Sequence, residues 1–196
     1  MKRFGFTLAE ILITLSIVGV VAAMTIPSLT ANMTNRKIGP TLAKSVSTYE
    51  QAAEAMLADK GVSAITDAYT SASSYAGGLS SYIKGSRSNS TITTKGEISY
   101  TISFDNSITM SPANPSTNKI GSVTIDINSS TPVDGENRFY FAMFDDGSLR
   151  PKGSKNWDES GSAVLWSSKC PNNSTPSDYT YCAGSIFENN LQVLYK

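Results

Sequence analysis

The residues of this chain whose types could do chemistry are few and widely spaced. Glu10 is a lone carboxylate at the head of a long apolar run, and residues 11–35 that follow it contain no charged side chain. A charged group in a membrane segment costs about 2.5–3.5 kcal/mol at the bilayer centre and less near the interface. An acid in this place therefore indicates a function that gives the carboxylate a partner.

Catalysis has little support in the sequence. The chain has no histidine, which removes the commonest general base and the commonest zinc ligand. The G-x-S-x-G, P-loop and paired-histidine motifs are also absent from the sequence, although serine and lysine are numerous enough to leave a Ser–Lys dyad open. Lys+Arg and Asp+Glu both number 16, so no basic excess predicts nucleic-acid binding. We expect neither an enzyme nor a nucleic-acid partner.

The two cysteines are Cys170 and Cys182, and the segment between them is rich in turn-forming residues. This spacing favours a disulfide-closed loop over a metal site, which needs four ligands. Free thiols are the alternative. A disulfide indicates an oxidising compartment.

A cluster of oxygen-bearing side chains follows a predicted strand: Asp126, Asn128, Ser130 and Asp134. Oxygen ligands at alternate positions suit calcium. The segment nevertheless lacks the glycine and glutamate of an EF-hand loop, and an Asx-rich turn explains the same residues. We expect no cofactor, with Asp126, Asn128 and Asp134 as the candidate ligands if calcium binds.

The apolar run that carries Glu10 is long enough to cross a membrane. As a helix rising about 1.5 Å per residue, residues 6–29 extend roughly 36 Å, more than the bilayer core of about 30 Å. Lys2 and Arg3 precede the run, and the next positive charge is Arg36. The positive-inside tendency therefore places the N-terminus in the cytoplasm and the rest of the chain outside. A secretory signal cleaved after Ala23 also fits the segment, but it leaves Glu10 unexplained.

A family resemblance offers another route of processing. The string Lys2-Arg3-Phe4-Gly5-Phe6-Thr7-Leu8-Ala9-Glu10, followed by an apolar helix that contains Pro27, resembles the N-terminus of type IV pilins and type II secretion pseudopilins. The resemblance implies that a prepilin peptidase cuts between Gly5 and Phe6 and methylates the new Phe6 amine. It also implies assembly with other pilin-like subunits, as a homo- or heteropolymer, on an inner-membrane platform.

This processing would give Glu10 a partner. Cleavage ahead of the apolar run keeps the helix on the mature protein and creates a positive α-amine near Glu10. When helices stack into a filament, the carboxylate can pair with the amine of a neighbouring subunit, because attraction at low effective dielectric offsets desolvation when the geometry is good. We expect Glu10 to set the register between subunits. Pro27 and the pair Gly39-Pro40 are expected to kink or locally break the helix.

The expected fold is α+β and pilin-like, with a long N-terminal helix, membrane-embedded in its first half, packed on a small antiparallel sheet. An apolar stripe at helical spacing predicts that the helix continues to Lys60; it consists of Leu42, Val46, Tyr49, Ala53 and Met56. Alternating apolar residues predict three or four strands, and Asp145-Asp146-Gly147 predicts a hairpin. The expected segments are a leader (1–5), a transmembrane and assembly helix (6–29), its amphipathic continuation (30–60), a Ser/Thr/Ala-rich connector with about two short helices (61–96), and the sheet with a C-terminal disulfide loop (97–196).

The sequence thus predicts a pseudopilin, or a major or minor pilin, anchored in the bacterial inner membrane by a single span with its head periplasmic or extracellular. Secretion pseudopili, surface pili and DNA-uptake pseudopili share this N-terminal design, so all three stay open. The alternative is a secreted or membrane-anchored binding or adhesion domain with an ordinary signal peptide. As an added role of the head, Trp157, Tyr179 and Tyr181 would offer an aromatic surface for carbohydrate or protein, and core or filament packing explains the same residues.

Overall fold

A computed structural model describes residues 7–94, 100–104, 118–127, 131–155, 157, 164–172 and 175–195, with the backbone alone for residues 27–35. The chain divides into two compact units, Met1–Lys37 and Ile38–Lys196. The second unit contains the sheet and is called the head below.

The first element, α1 (Leu8–Lys60), is one uninterrupted helix. Its predicted apolar stripe is confirmed, since all five of its residues are buried in the head. The helix also continues through Gly39 and Pro40, so the predicted local break is absent there, and a kink at this pair stays a prediction. An interior proline costs a helix about 3 kcal/mol because it removes a donor and clashes with the preceding turn. Ile38 and Leu42, two residues before and after Pro40, are buried. Their packing in the core stabilises the helix on both sides of the proline.

Two short helices follow, as expected for the connector: α2 (Ile65–Ala68) and α3 (Ala72–Leu79). Ser71 caps α3 through a reciprocal capping box with Ser74. Both helices contribute buried side chains to the core of the head, so this part of the connector is packed structure.

The sheet is a six-stranded antiparallel meander in which each strand pairs with the next. Its strands are β1 (Gly85–Ser88), β2 (Thr91–Thr94), β3 (Tyr100–Phe104), β4 (Lys119–Ile127), β5 (Arg138–Phe144) and β6 (Leu149–Pro151). The sheet is larger than the three or four expected strands, because β1 and β2 lie inside the predicted connector. All four residues of β1 are exposed, so this strand lacks the apolar alternation by which strands are predicted.

The predicted hairpin at Asp145-Asp146-Gly147 connects β5 to β6. Gly147 has φ +86°, a conformation that glycine adopts at little cost. A β-carbon at Gly147 would also lie 3.0 Å from the Cβ of Ala53 on α1. The turn therefore packs directly against the helix.

The core of the head lies between the helices and one face of the sheet. The hydroxyls of Tyr49 and Tyr75 are 2.8 Å apart, and the Tyr75 ring meets the Phe104 ring edge-to-face at 5.4 Å. This geometry is favourable for aromatic pairs. The last two α-helices of the described residues are α4 (Trp166–Lys169) and α5 (Cys182–Glu188). The fold is α+β and pilin-like, with a long N-terminal helix followed by an antiparallel sheet.

Candidate processing and assembly site

The predicted cleavage residues, Gly5 and Phe6, lie outside the described residues, which begin at Thr7. Cleavage between them and methylation of Phe6 stay predictions. The structure does describe the segment that cleavage would place at the new N-terminus, from Thr7 onward.

Glu10 closes a capping box with Thr7 at the start of α1. The backbone N–H and the hydroxyl of Thr7 donate to Glu10 Oε2 at 2.8 and 2.7 Å, and the Glu10 N–H donates to Thr7 Oγ1 at 3.3 Å. These bonds satisfy donors that a helix start leaves without an intrahelical acceptor. Threonine followed three residues later by glutamate is the sequence signature of this motif. It would have identified Thr7, which the sequence analysis missed.

The segment Leu8–Ile26 of α1 is long and apolar enough to cross a membrane, by length and composition. Its large apolar side chains are 45–80% exposed, which makes a continuous apolar surface that water would solvate poorly. The residues are Leu8, Ile11, Leu12, Ile13, Leu15, Ile17, Val18, Val20, Val21, Met24 and Ile26. The segment is compatible with a membrane anchor.

Three hydroxyl side chains in this segment donate hydrogen bonds to backbone carbonyls of α1 itself. Thr14 Oγ1 donates to the carbonyls of Glu10 and Ile11, both at 2.9 Å. The hydroxyl of Ser16 donates to Leu12 O at 2.8 Å, and that of Thr25 donates to Val21 O at 3.0 Å. Polar groups in a bilayer need partners within the protein. These bonds let the hydroxyls enter an apolar environment without a further partner.

Pro27 lies within α1, and the helix is assigned without a break on both sides of it. Its side chain is not among those described. A kink at Pro27 stays a prediction from the covalent chemistry of proline.

The predicted disulfide is confirmed. Cys170 and Cys182 are bonded, and both are fully buried. The bond joins the end of α4 to the start of α5, and the enclosed loop is held further by the N–H groups of Ser177 and Asp178, which donate to Lys169 O. The disulfide thus fixes the last part of the head.

The described calcium candidates have protein partners. Asp126 accepts two hydrogen bonds from the Arg138 guanidinium, at 2.8 and 3.0 Å, and Asp126 raises the pKa of Arg138 through this hydrogen bond and its charge. Asp134 accepts a hydrogen bond from the Tyr140 hydroxyl at 2.9 Å. Asn128 lies outside the described residues. In the described part of the chain, no group of three or more His, Cys, Asp or Glu side chains comes together.

The aromatic residues considered as a binding surface contact one another and nearby lysines. The rings of Trp157 and Tyr181 meet edge-to-face at 6.1 Å. Lys119 Nζ lies 4.5 Å from the Trp157 ring centroid, and Lys152 Nζ lies 4.4 Å from that of Tyr181. Burial lowers the pKa of Lys152. Cation–π contacts of this kind stabilise local packing, so the arrangement favours the packing interpretation, with Tyr179 still 38% exposed.

Comparison with known proteins gives one match. Residues 1–26 match the family model described as the prokaryotic N-terminal methylation motif. No curated protein and no solved structure matches the chain. The matched residues comprise the capping box and the whole exposed apolar segment Leu8–Ile26. The chain therefore carries, in its first 26 residues, the prepilin-type signature of type IV pilins and pseudopilins.

Proposed function

We propose that this protein is a structural subunit of a type II secretion or type IV pilus-like filament, either a pseudopilin or a major or minor pilin. A prepilin peptidase cuts between Gly5 and Phe6 and methylates the Phe6 amine. The subunit is stored in the bacterial inner membrane as a single-pass protein with its N-terminus in the cytoplasm and its head outside. It then joins other pilin-like subunits at an assembly platform.

The observation that carries the proposal is the coincidence of the methylation motif with an exposed apolar helix. The motif covers residues 1–26, and the large apolar side chains of Leu8–Ile26 are exposed in the described structure. Such a surface needs lipid before assembly and neighbouring helices after it. A signal peptide cleaved after Ala23 would discard this surface, whereas cleavage at Gly5 keeps it.

Polymerisation pairs the Glu10 carboxylate of one subunit with the Phe6 amine of another. Both groups would be costly to bury alone, and each offsets the desolvation of the other when they meet at short distance in a water-poor interior. A subunit that is out of register leaves both charges unpaired. The pair therefore selects the register, and the function of the protein rests on assembly, with no catalytic step.

The test is mass analysis of the N-terminus of the protein isolated from its host membrane. We expect the mature chain to begin with N-methyl-Phe6. A chain beginning at Met24 would overturn the proposal and identify a secreted domain with an ordinary signal peptide. An uncleaved chain beginning at Met1 would identify a simple membrane anchor.

Deletion of the gene then identifies which type of filament contains the protein. Loss of an exported enzyme from the medium indicates a secretion pseudopilus, and loss of surface fibres or of adhesion indicates a pilus. Loss of transformation indicates a DNA-uptake pseudopilus. Complementation with the full-length chain is the control for each assay.

A further inference from the structure

We propose that Thr7 is a positioning residue for assembly, which holds one carboxylate oxygen of Glu10 and leaves the other to accept the amine of the next subunit. The inference rests on the proposed function and assigns a residue to its assembly step. It concerns a side chain that the charge-pairing argument alone does not involve.

The hydrogen bonds from Thr7 are concentrated on one oxygen. Both the N–H and the hydroxyl of Thr7 donate to Glu10 Oε2, at 2.8 and 2.7 Å, while no described residue donates to Oε1. An ionised carboxylate has about four acceptor sites on its two oxygens. Glu10 can therefore keep both bonds to Thr7 and still accept a charged N–H group at Oε1.

The same bonds fix the orientation of Glu10 before a partner arrives. The third bond runs in the opposite direction, from the Glu10 N–H to Thr7 Oγ1 at 3.3 Å, so the two residues hold each other. A glutamate side chain free to rotate would lose its rotamer entropy on pairing. Here that ordering occurs within the monomer, which is the general advantage of preorganisation.

All of these groups survive the proposed cleavage. Thr7 lies on the C-terminal side of the Gly5–Phe6 bond, and its N–H is part of the Phe6–Thr7 peptide group. The mature subunit therefore retains both donors and the carboxylate. The positioned oxygen is then only a few residues from the new amine of its own chain, and it is available to the amine of another.

If Thr7 only capped the helix, assembly would depend on the side chain at residue 7 in a different way. Serine at residue 7 keeps both capping and donation by the hydroxyl. Aspartate is also a good N-cap residue, but its ionised side chain cannot donate to Glu10 and repels it. Valine keeps the branched shape of threonine and removes the hydroxyl.

The experiment compares Thr7→Ser, Thr7→Val and Thr7→Asp in the full-length chain expressed in its host. The readout is the fraction of mature subunit found in sheared filaments, relative to mature subunit in the membrane, so that a defect in cleavage is measured separately by N-terminal mass. We expect T7S to assemble like the wild type. We expect T7V and T7D to lower the filament fraction about tenfold or more, as the loss of a hydrogen bond to a charged group would.

Two results would overturn the positioning role: wild-type assembly by T7V, or wild-type assembly by T7D, which keeps a cap and the backbone N–H but lacks the hydroxyl donor. A parallel Glu10→Ala variant separates this inference from the proposed function. If E10A fails to assemble while T7V assembles normally, only the role of Thr7 is wrong. If E10A assembles normally, or the wild type forms no filament, the charge pair itself is wrong and the role of Thr7 with it.

Discussion

The backbone of Leu191 lies against Gly39 of α1, so closely that a β-carbon at residue 39 would come 1.8 Å from the Leu191 carbonyl oxygen. Asn190 and Leu191 have φ values of +54° and +62°, a region that residues other than glycine rarely adopt. The C-terminal segment therefore reaches the helix through an unusual backbone conformation. It can do so because residue 39 has no side chain.

Replacement of Gly39 by alanine should destabilise the head. The new methyl group must displace Leu191 or the helix, and overpacking of this kind costs about 1–3 kcal/mol. For a domain of this size we expect the melting temperature to fall by about 2–4 °C per kcal/mol. The measurement is thermal unfolding of the full chain in detergent, monitored by the near-ultraviolet circular dichroism of the aromatic residues in the head.

The matched control for this variant is Gly19→Ala in the same helix. Nothing lies within 4 Å of a β-carbon built at Gly19. The melting temperature of G19A should therefore equal that of the wild type. Equal melting of G39A, G19A and the wild type would show that the close approach of Leu191 does not constrain residue 39.

Replacement of Glu10 should distinguish the effect of its capping hydrogen bonds on assembly from the effect of its negative charge. Glu10→Gln keeps a carbonyl oxygen that can accept the hydrogen bonds of Thr7, since glutamine also serves in capping boxes, but it removes the negative charge. We expect E10Q, like E10A, to be processed and inserted with a folded head and to fail to enter filaments. Normal filaments from E10Q would show that the hydrogen bonds matter and the charge does not. The measurement is the filament fraction after shearing, beside a protease-resistance assay of the head.

Reduction of the Cys170–Cys182 disulfide should weaken the head. A bond that closes a loop of this length stabilises by about 3 kcal/mol in the chain-entropy model. We expect the urea midpoint of the full chain in detergent to fall when reductant is added. The Cys170→Ala/Cys182→Ala double variant, which has no disulfide to reduce, should have the same midpoint with and without reductant. An unchanged wild-type midpoint on reduction would mean that packing alone holds the ends of α4 and α5 together.

Alkaline pH should destabilise the head through its buried tyrosines. Burial raises the pKa of Tyr49, Tyr75 and Tyr195 above the ordinary tyrosine value of 10.0. Because the folded state holds these protons more tightly, the contribution of these tyrosines to stability is constant below pH 10 and falls as the pH rises above it. Each such group contributes a slope of up to about 1.4 kcal/mol per pH unit.

The measurement is the free energy of unfolding between pH 8 and pH 11.5, with tyrosinate absorbance followed in parallel. Tyr195→Phe removes one of these titrating groups, together with its hydrogen bond to Gly135 O. The variant should be less stable at pH 8 and should lose stability less steeply above pH 10. A slope equal to that of the wild type would exclude Tyr195 as a contributor.

Calcium should leave the stability of the head unchanged. Arg138 occupies both oxygens of Asp126, so a cation would have to displace a charged partner already in place. We expect equal melting temperatures in excess calcium and in excess chelator. A rise with calcium that is lost in the Asp134→Asn variant would instead identify a calcium site near the end of β4.

The parts of the fold that the sequence predicted are those governed by short-range periodicity. The stripe from Leu42 to Met56 repeats every three or four residues, so it predicted both the buried face of α1 and its end at Lys60. The turn at Gly147 has a residue signature of its own. Strands β1 and β2 were not predicted, because they consist mostly of Ser, Thr and Arg. Strands are predicted from an alternation of apolar residues, which these two lack.

Contacts between distant parts of the chain could not be predicted in this way. The fit of Leu191 against Gly39 joins segments about 150 residues apart in the sequence, and no local pattern specifies it. The ion pair of Asp126 with Arg138 depends on the register of β4 and β5, in which the two residues are direct partners. The capping box is different, because Thr7 and Glu10 are three residues apart. It was overlooked only because Glu10 already had an explanation.

The anchoring of Tyr195 also decides where a label can be attached to the protein. Tyr195 is 2% exposed, and its hydroxyl donates to Gly135 O at 2.7 Å, so an epitope fused after Lys196 would begin one residue from an anchored side chain. A fluorophore on the outermost strand avoids this problem, since Ser86 in β1 is exposed and lies at the edge of the sheet. Imaging of the filament should therefore use a Ser86→Cys label and avoid a fusion next to Tyr195.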